Sequence, residues 1–330
     1  EDGIRDFCLS RGLGDVYKRQ CNISQSTDAP TTLGFTKSHK VDVTTVNTTA
    51  SGQQVIQLFY RIEGQDLRNS GWNHLSSSSF LTLSFYFKTT KTGTSKLPIM
   101  FRTRHGTNYY YVKNVTVTDP TNWNRYTVTI PGNSNIQIDD AITTGMDINF
   151  TYYSGPDKDT SSEGSWGSTN AYSTSDSTNY FDSTSNDMFI TGIQLEVGDT
   201  ATSFEHRSYG EELTRCLRYF YQSSHWGTAS GTGYAALGVN YTGYQTSNGN
   251  WIWVTCYLPV VMRAAPTLDT SDQVGNTGNK HSIFTSTGGA RTNNVTNYHT
   301  SPYNDHFTVS NYNETKYGMQ VSGVKADAEL

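Results

Sequence analysis

Residues 188–221 read MFITGIQLEVGDTATSFEHRSYGEELTRCLRYFY, an extended alternating run that turns into a short capped helix. From Phe189 onward, period-two alternation puts Thr191, Ile193, Leu195 and Val197 on one face of a strand. Ile190, Gln194 and Glu196 fall on the other. Gly198-Asp199 ends the run. Ser208, with Glu211 three residues later, is a capping-box pattern, and Leu213, Leu217 and Phe220 then recur at helical spacing. Glu211 and Arg215 stand four apart in the order that supports a helix, and Arg218 lies toward the end that favours positive charge. A strand closes one unit here and a helix leads into a second. The expected organisation is a first domain over residues 21–207, a linking helix over 208–222 and a smaller β-rich domain over 223–330.

Outward from this block the period remains two. Ile56, Leu58, Tyr60 and Ile62 alternate with Gln57, Phe59 and Arg61; Leu81, Leu83, Phe85 and Phe87 alternate with Thr82, Ser84, Tyr86 and Lys88. Tyr126, Val128 and Ile130, and then Met146, Ile148, Phe150 and Tyr152, form further strand faces, separated by Gly, Asn, Ser and Pro clusters. Such spacing predicts two antiparallel sheets face to face. Residues 154–187 interrupt it with a long polar stretch carrying Trp166, Tyr172, Tyr180 and Phe181, read here as a decorated loop between core strands. Beyond the helix, Val239–Tyr244, Trp251–Leu258, Phe307–Tyr312 and Tyr317–Val324 are β-like. Pro259 and Pro266 bracket a bend, and residues 269–300 are too polar to fold unaided.

Composition agrees with an all-β protein. In 330 residues, hydrophobic types make up 34%, charged types 16% and aromatic types 13%, with an abundance of Tyr, Ser, Thr, Asn and Gly that suits β surfaces better than helical enzymes. The net charge of −5 leaves no basic nucleic-acid footprint, and no segment approaches the roughly 20 apolar residues of a membrane-spanning helix. Cys21, Cys216 and Cys256 form no CxxC pair, so neither zinc nor a disulfide framework is expected, and free thiols fit assembly in a reducing cytoplasm.

Several stretches carry a family resemblance: residues 189–219, STDAPTTLGFTKSHKVDVTT (26–45), RIEGQDLRNSGW (61–72), LTLSFYFKTTKTGT (81–94), LPVVMRAAPTL (258–268) and the terminal KADAEL (325–330). From about residue 21 onward the chain resembles bacteriophage tail-fibre proteins of marine and metagenomic type. That resemblance implies a carbohydrate-binding-module-like jelly roll and a non-enzymatic virion component, made in the host cytoplasm. The opening residues depart from it. LSRGLGDVYKRQ (9–20) resembles translated adapter DNA from sequencing-library preparation, which implies that residues 1–20 are non-native and that the natural coding sequence continues upstream; the alternative is a genuine disordered N-terminus, and Cys8 has no role in either case.

Chemistry-bearing patterns are few. The sequence holds no G-x-S-x-G elbow, no H-E-x-x-H and no phosphate-cradling loop, and its eight histidines are scattered. Glu163 and Asp187 are the one carboxylate pair that a glycosidase reading could use, and they read better as solvated loop acids. Glu196 and Glu205 read as structural residues of the junction, Glu205 through Arg207 or the backbone. No catalytic residue, metal or cofactor is expected. Structural calcium at Asp139-Asp140 or Asp157–Asp159 is the weaker alternative, since these acids equally suit turns.

Aromatic side chains are the better functional clue, because the apolar face of a sugar ring stacks on Trp or Tyr. The candidate glycan contacts are Trp166 and Tyr172 in the long polar stretch, Tyr109 and Tyr111 in the Tyr109–Tyr111 run, and Tyr241 and Tyr244 in the second unit. Trp166, between a Gly-Ser pair and a glycine, is expected to be exposed; Trp251 and Trp253 read as packing residues. The expected function is recognition of a host cell-surface glycan by a homotrimeric fibre subunit, without chemistry, membrane insertion or nucleic acid. The alternatives are a structural fibre module without ligand and a polysaccharide-depolymerising tailspike-like enzyme.

Overall fold

The computed structural model describes residues 20–46, 52–223, 241–244, 250–271, 280–285, 290–294, 297–300, 303–313, 316–321 and 323–329. The expectations for residues 1–19, Cys8 included, lie outside them. The chain divides into two compact units after His206.

The first unit is built from β1 (Gln20–Ser26), β2 (Ser38–Thr45), β3 (Val55–Glu63), α1 (Gly64–Asn69), β4 (Phe80–Thr89), β5 (Ser95–Thr103), β6 (Tyr110–Val117), β7 (Asn124–Pro131), β8 (Thr144–Ser154), β9 (Trp166–Gly167) and β10 (Asp187–Val197). Two antiparallel five-stranded sheets run β1-β2-β10-β4-β7 and β3-β8-β5-β6-β9. Apart from edge strands β1 and β9, the chain crosses from sheet to sheet at every step except the β5–β6 hairpin. This is the double-Greek-key order of a jelly roll, so the all-β sandwich is read directly from the connectivity. The apolar positions recognised in the alternating runs meet between the sheets. Leu81, Leu83, Phe85 and Phe87 of β4 face Met146, Ile148, Phe150 and Tyr152 of β8 in one buried cluster, and Phe85 and Phe150 meet edge to face at 5.0 Å. Burying each such side chain contributes roughly 1.5–3 kcal/mol.

Strand β10 departs from simple alternation. Its register against β4 shifts between Thr191 and Gln194, where Gly192 adopts φ +58°. An extra residue flips the facing of everything beyond it. Met188 and Ile190 point into the core before the bulge; after it, Leu195 packs on the core, opposite Leu83. Phe189 instead lies outside, edge-on to Trp123 at 6.4 Å. The expectation that Ile190 shares a face with Gln194 and Glu196 is therefore corrected, and Ile193 is exposed.

Residues 154–187 are also more than decoration. Strand β5 pairs with β8 only from Ile99 onward, because Pro98 has no N–H to offer the ladder. Where β8 departs, the long segment takes its place. Thr178 N–H donates to Lys96 O at 3.0 Å, and Tyr180 N–H donates to Tyr152 O at 2.9 Å. Lys96 N–H in turn donates to Thr178 Oγ1 at 2.8 Å. Tyr180 and Phe181 are thereby delivered fully buried into the core, where Tyr180 OH and Ser95 Oγ share a hydrogen bond of 3.0 Å.

The second unit opens with α2 (Tyr209–Leu217), where Ser208 and Glu211 form the expected capping box. Leu213, Cys216 and Leu217 make a half-buried stripe along this helix. Then come β11 (Phe220–Gln222), β12 (Tyr241–Tyr244), β13 (Asn250–Tyr257), β14 (Thr267–Ser271), β15 (Lys280–Thr285), β16 (Ala290–Asn294), β17 (Asn297–Thr300), β18 (His306–Asn313), β19 (Lys316–Val321) and β20 (Gly323–Asp327). They form three antiparallel sheets, β11-β20-β14, β12-β19-β15-β16 and β13-β18-β17. Val254, Cys256, Phe307, Val309, Met319, Val321 and Ala326 anchor a core of its own. The polar stretch 269–300 enters this unit by strand pairing: β15 pairs with β19, which carries Met319 and Val321, and β17 pairs with β18. Residues 259–266 form the bend expected between the two prolines.

Candidate functional site

The outer face of the β3-β8-β5-β6 sheet carries a row of buried polar side chains. Alternation along β8 sends Met146, Ile148, Phe150 and Tyr152 inward and Asp147, Asn149 and Thr151 outward. Register then builds cross-strand rows. Arg61 of β3, Asp147 of β8, Arg102 of β5 and Tyr110 of β6 stand directly opposite one another. The next row is Phe59, Asn149, Met100 and Val112. Beyond it Gln57 faces Thr151, and Pro98 faces Asn114.

Asp147, Asn149 and Thr151 are each at most 1% exposed. Asn149 Nδ2 donates to Met100 O at 3.4 Å. Asn149 Oδ1, Thr151 Oγ1 and Gln57 Oε1 are buried without a hydrogen-bond partner. Such atoms are uncommon in native folds and point to a missing water or ligand. Thr151 lines a cavity of about 160 Å³ together with Pro98, Tyr153, Asp159, Ser173 and Thr178. The cavity opens where β5 and β8 part at Pro98. Its lining includes a single carboxylate, Asp159, whose Oδ1 accepts from Ser173 Oγ at 2.5 Å.

At the other end of the face, Asp147 is ringed by arginines. Arg102 donates from Nε at 2.7 Å and also from Nη2. Arg104 Nε lies 2.9 Å from Asp147 Oδ2, and Arg61 Nε lies 3.7 Å from Oδ1. Arg102 Nη1 donates to Tyr172 OH at 3.1 Å. Burial works against the charge on Arg102, but Asp147, together with Tyr172 and Tyr110, outweighs it and raises this guanidinium above its ordinary range. Arg104 is lowered, by burial first and then by repulsion from Arg102 and Arg61, against the pull of Asp147. Burial raises the Tyr172 hydroxyl above the usual tyrosine range, against the pull of Arg102, so it stays neutral.

The aromatic candidates separate. Tyr172 belongs to this face: with Met100, Tyr110, Val112 and Ala171 it forms a small apolar cluster, its ring 6.4 Å from that of Tyr110. Tyr111 is buried in the main core, and Tyr109 packs against that core from its margin. Trp166 is not the exposed loop residue expected from its neighbours. It forms β9 opposite Tyr111, lies half-buried with its ring 5.4 Å from Tyr111, and donates from Nε1 to Pro131 O at 2.7 Å. It thus ties the edge of one sheet to the end of β7 in the other. Tyr241 and Tyr244 are the first and last residues of β12, pairing with Val321 and Gly318; their side chains lie outside the described set. Trp253, expected to pack, is 52% exposed.

The carboxylates weighed for catalysis or metal binding have structural partners. Glu163 accepts from Asn114 N–H at 3.1 Å and pairs with Lys113 at 3.2 Å, whereas Asp187 pairs with Lys40 at 2.9 Å on the opposite sheet. Glu196 accepts from Thr202 N–H at 3.2 Å, and Glu205 N–H donates to Gln194 Oε1 at 2.8 Å. Asp139 pairs with His105 at 3.0 Å. Among the described residues, no three His, Cys, Asp or Glu side chains gather as metal ligands, and no helix is long and apolar enough to cross a membrane.

The row of Asp147, Asn149 and Thr151 escaped the sequence reading, although its signal was present. Their alternation with Met146, Ile148, Phe150 and Tyr152 reads as an ordinary solvated face, and nothing local reveals that residues 171–179 fold back over it.

No family model matches the sequence, and no curated protein does. Solved structures similar to the chain include a family 11 carbohydrate-binding module from Clostridium thermocellum in complex with a β-1,3-1,4-mixed-linked tetrasaccharide (11% identity, 60% of this chain and 96% of that one, TM-score 0.29). The tandem CBM22-1–CBM22-2 domains of Paenibacillus barcinonensis Xyn10C are similar at 7% identity over 96% of this chain and 93% of theirs, with TM-score 0.29. The enzymatically active domain of bacteriophage CBA120 tailspike protein 4 is similar at 11% identity over 55% of this chain, which spans 19% of that one, with TM-score 0.27. Likeness at these scores carries no functional conclusion.

Proposed function

We propose that the chain is a bacteriophage tail-fibre subunit that recognises a host cell-surface glycan without chemistry, as part of a homotrimer in the virion. The sugar lies on the outer face of β3, β8 and β5, over the cavity that Thr151 lines. One observation carries the reading: Gln57, Asn149 and Thr151 present buried oxygens without protein partners, next to the half-buried rings of Phe59 and Tyr172. Sugar hydroxyls supply donors to such oxygens, and the ring's apolar face suits the aromatics. The family resemblance in the sequence supports the tail-fibre setting. The single carboxylate of the cavity favours binding over two-carboxylate hydrolysis.

Thr151→Val tests the site, since it removes the hydroxyl and keeps the shape. The hydroxyl has no partner in the protein, so the variant should melt no lower than wild type. Its affinity for the best glycan-array hit, measured by titration calorimetry, should fall about tenfold for one lost hydrogen bond. Unchanged affinity would remove the site; an empty array would leave the structural-module reading. Release of reducing ends from host polysaccharide would replace recognition by depolymerisation. Light scattering should give three times the chain mass, and three sites acting together would raise a weak single-site affinity.

A further inference from the structure

Three guanidinium groups converge on one carboxylate: Arg61, Arg102 and Arg104 all approach Asp147 within 3.7 Å. One arginine suffices to neutralise one buried acid, and Arg102 already does so with two donors. Arg104 therefore shares an acid that is already neutralised, and among the described residues it has no other carboxylate beside it, in a chain whose overall charge is −5.

Arg104 is the most exposed to this imbalance. Its Nε is buried beside Asp147 but not aligned to donate, and its side chain makes no hydrogen bond among the described residues. Burial, and then repulsion from Arg102 and Arg61, lower its hold on its proton. Like charges held together without compensation are costly for a fold to keep, and an anion removes that cost. The side chains of Arg61 and Arg104 remain 31% and 29% exposed, so the cluster is reachable from solvent. Arg102 of β5 stands opposite Asp147, on the same face as Asn149 and Thr151, and Arg104 follows just beyond the end of β5, which places the cluster in line with the proposed sugar site.

We propose that Arg61, Arg102 and Arg104 bind an anionic substituent, a carboxylate or sulfate, of the oligosaccharide lying along this face. The proposal rests on the glycan reading above and adds its charge class. Guanidinium groups suit both anions because their donors form a planar fork.

The experiment uses the full chain on an array of oligosaccharides in matched pairs, with and without a uronate carboxylate or a sulfate; the two kinds of acidic member distinguish the sources. The tightest acidic hit is then titrated, with sodium sulfate as a separate probe. The acidic member should bind about tenfold or more above its neutral partner. That advantage should shrink between about 0.05 and about 0.5 M salt, as expected for partly exposed charges. Arg104→Gln should lose most of the advantage without changing neutral-sugar affinity and without lowering the melting temperature. Arg61→Gln provides a second variant should the first fail to fold. Equal binding of acidic and neutral members, or unchanged acidic affinity in both variants, would overturn the anion assignment and leave glycan recognition standing. Binding of sulfate but of no oligosaccharide would mean an adventitious ion only, and would overturn it as well. Failure of every oligosaccharide and of sulfate would overturn both readings together.

Discussion

Replacing Trp166 by alanine should destabilise the jelly roll, although its sequence neighbours suggest an expendable exposed ring. The indole donates to Pro131 O at 2.7 Å and packs against Tyr111 at 5.4 Å. Losing the hydrogen bond costs about 1 kcal/mol net. Truncating a fully buried aromatic costs about 3–5 kcal/mol, and half of that for a half-buried ring is about 2 kcal/mol. The total is about 3 kcal/mol, which lowers the melting temperature of a unit of this size by roughly 6–12 °C. Trp166→Phe keeps most of the packing but strands the Pro131 carbonyl, so it should lose about 1 kcal/mol, roughly 2–4 °C. Thermal melts followed by circular dichroism, with urea titrations as a second measure, read both values. A Trp166→Ala protein that melts within about 1 °C of wild type while losing glycan adsorption would refute the reasoning, because the indole would then be a ligand contact rather than a tie between sheets.

Gly192→Ala should cost more than about 2 kcal/mol in urea unfolding, since the residue sits at φ +58° and its Cβ would lie 2.6 Å from Phe35 Cζ; a neutral result would mean that the bulge relaxes freely. Cys256 is fully buried and its thiol is pushed up by that burial, so peptide mapping after alkylation should find it unmodified in the native protein and modified in denaturant. Burial alone would raise the Asp28 carboxyl, but hydrogen bonds from Lys88 and Trp123 and the charge of Lys88 outweigh it and lower it below 3.8. A depressed carboxylate contributes stability that is present above its unfolded value and lost as pH falls through its folded one. Asp28→Asn should therefore lower the melting temperature at neutral pH and narrow the difference from wild type below about pH 3.8; an equal deficit at both pH values would show that the ion pair is not the cause.

Sequence alone determined the all-β class, the strand faces of β3, β4, β7 and β8, and the capping box of α2. Each depends on side-chain period or on groups three residues apart, and both are local properties of a chain. Tertiary structure decided the rest. Strands β5 and β6 were illegible: Pro98 disguises one, and the other follows a tyrosine run whose members divide between the core and the outer face. The bulge at Gly192 reversed the facing of Leu195, because one added residue changes the parity of everything after it. Tyr180 and Phe181 entered the core, and Trp166 became a tie, only because the 154–187 segment folds back where β8 leaves β5. The candidate site has the same origin. Arg61, Asp147 and Arg102 are separated by tens of residues, and cross-strand register alone sets them side by side. Hydrophobic period tells which face a residue takes, but charge surplus and missing hydrogen-bond partners arise only between strands.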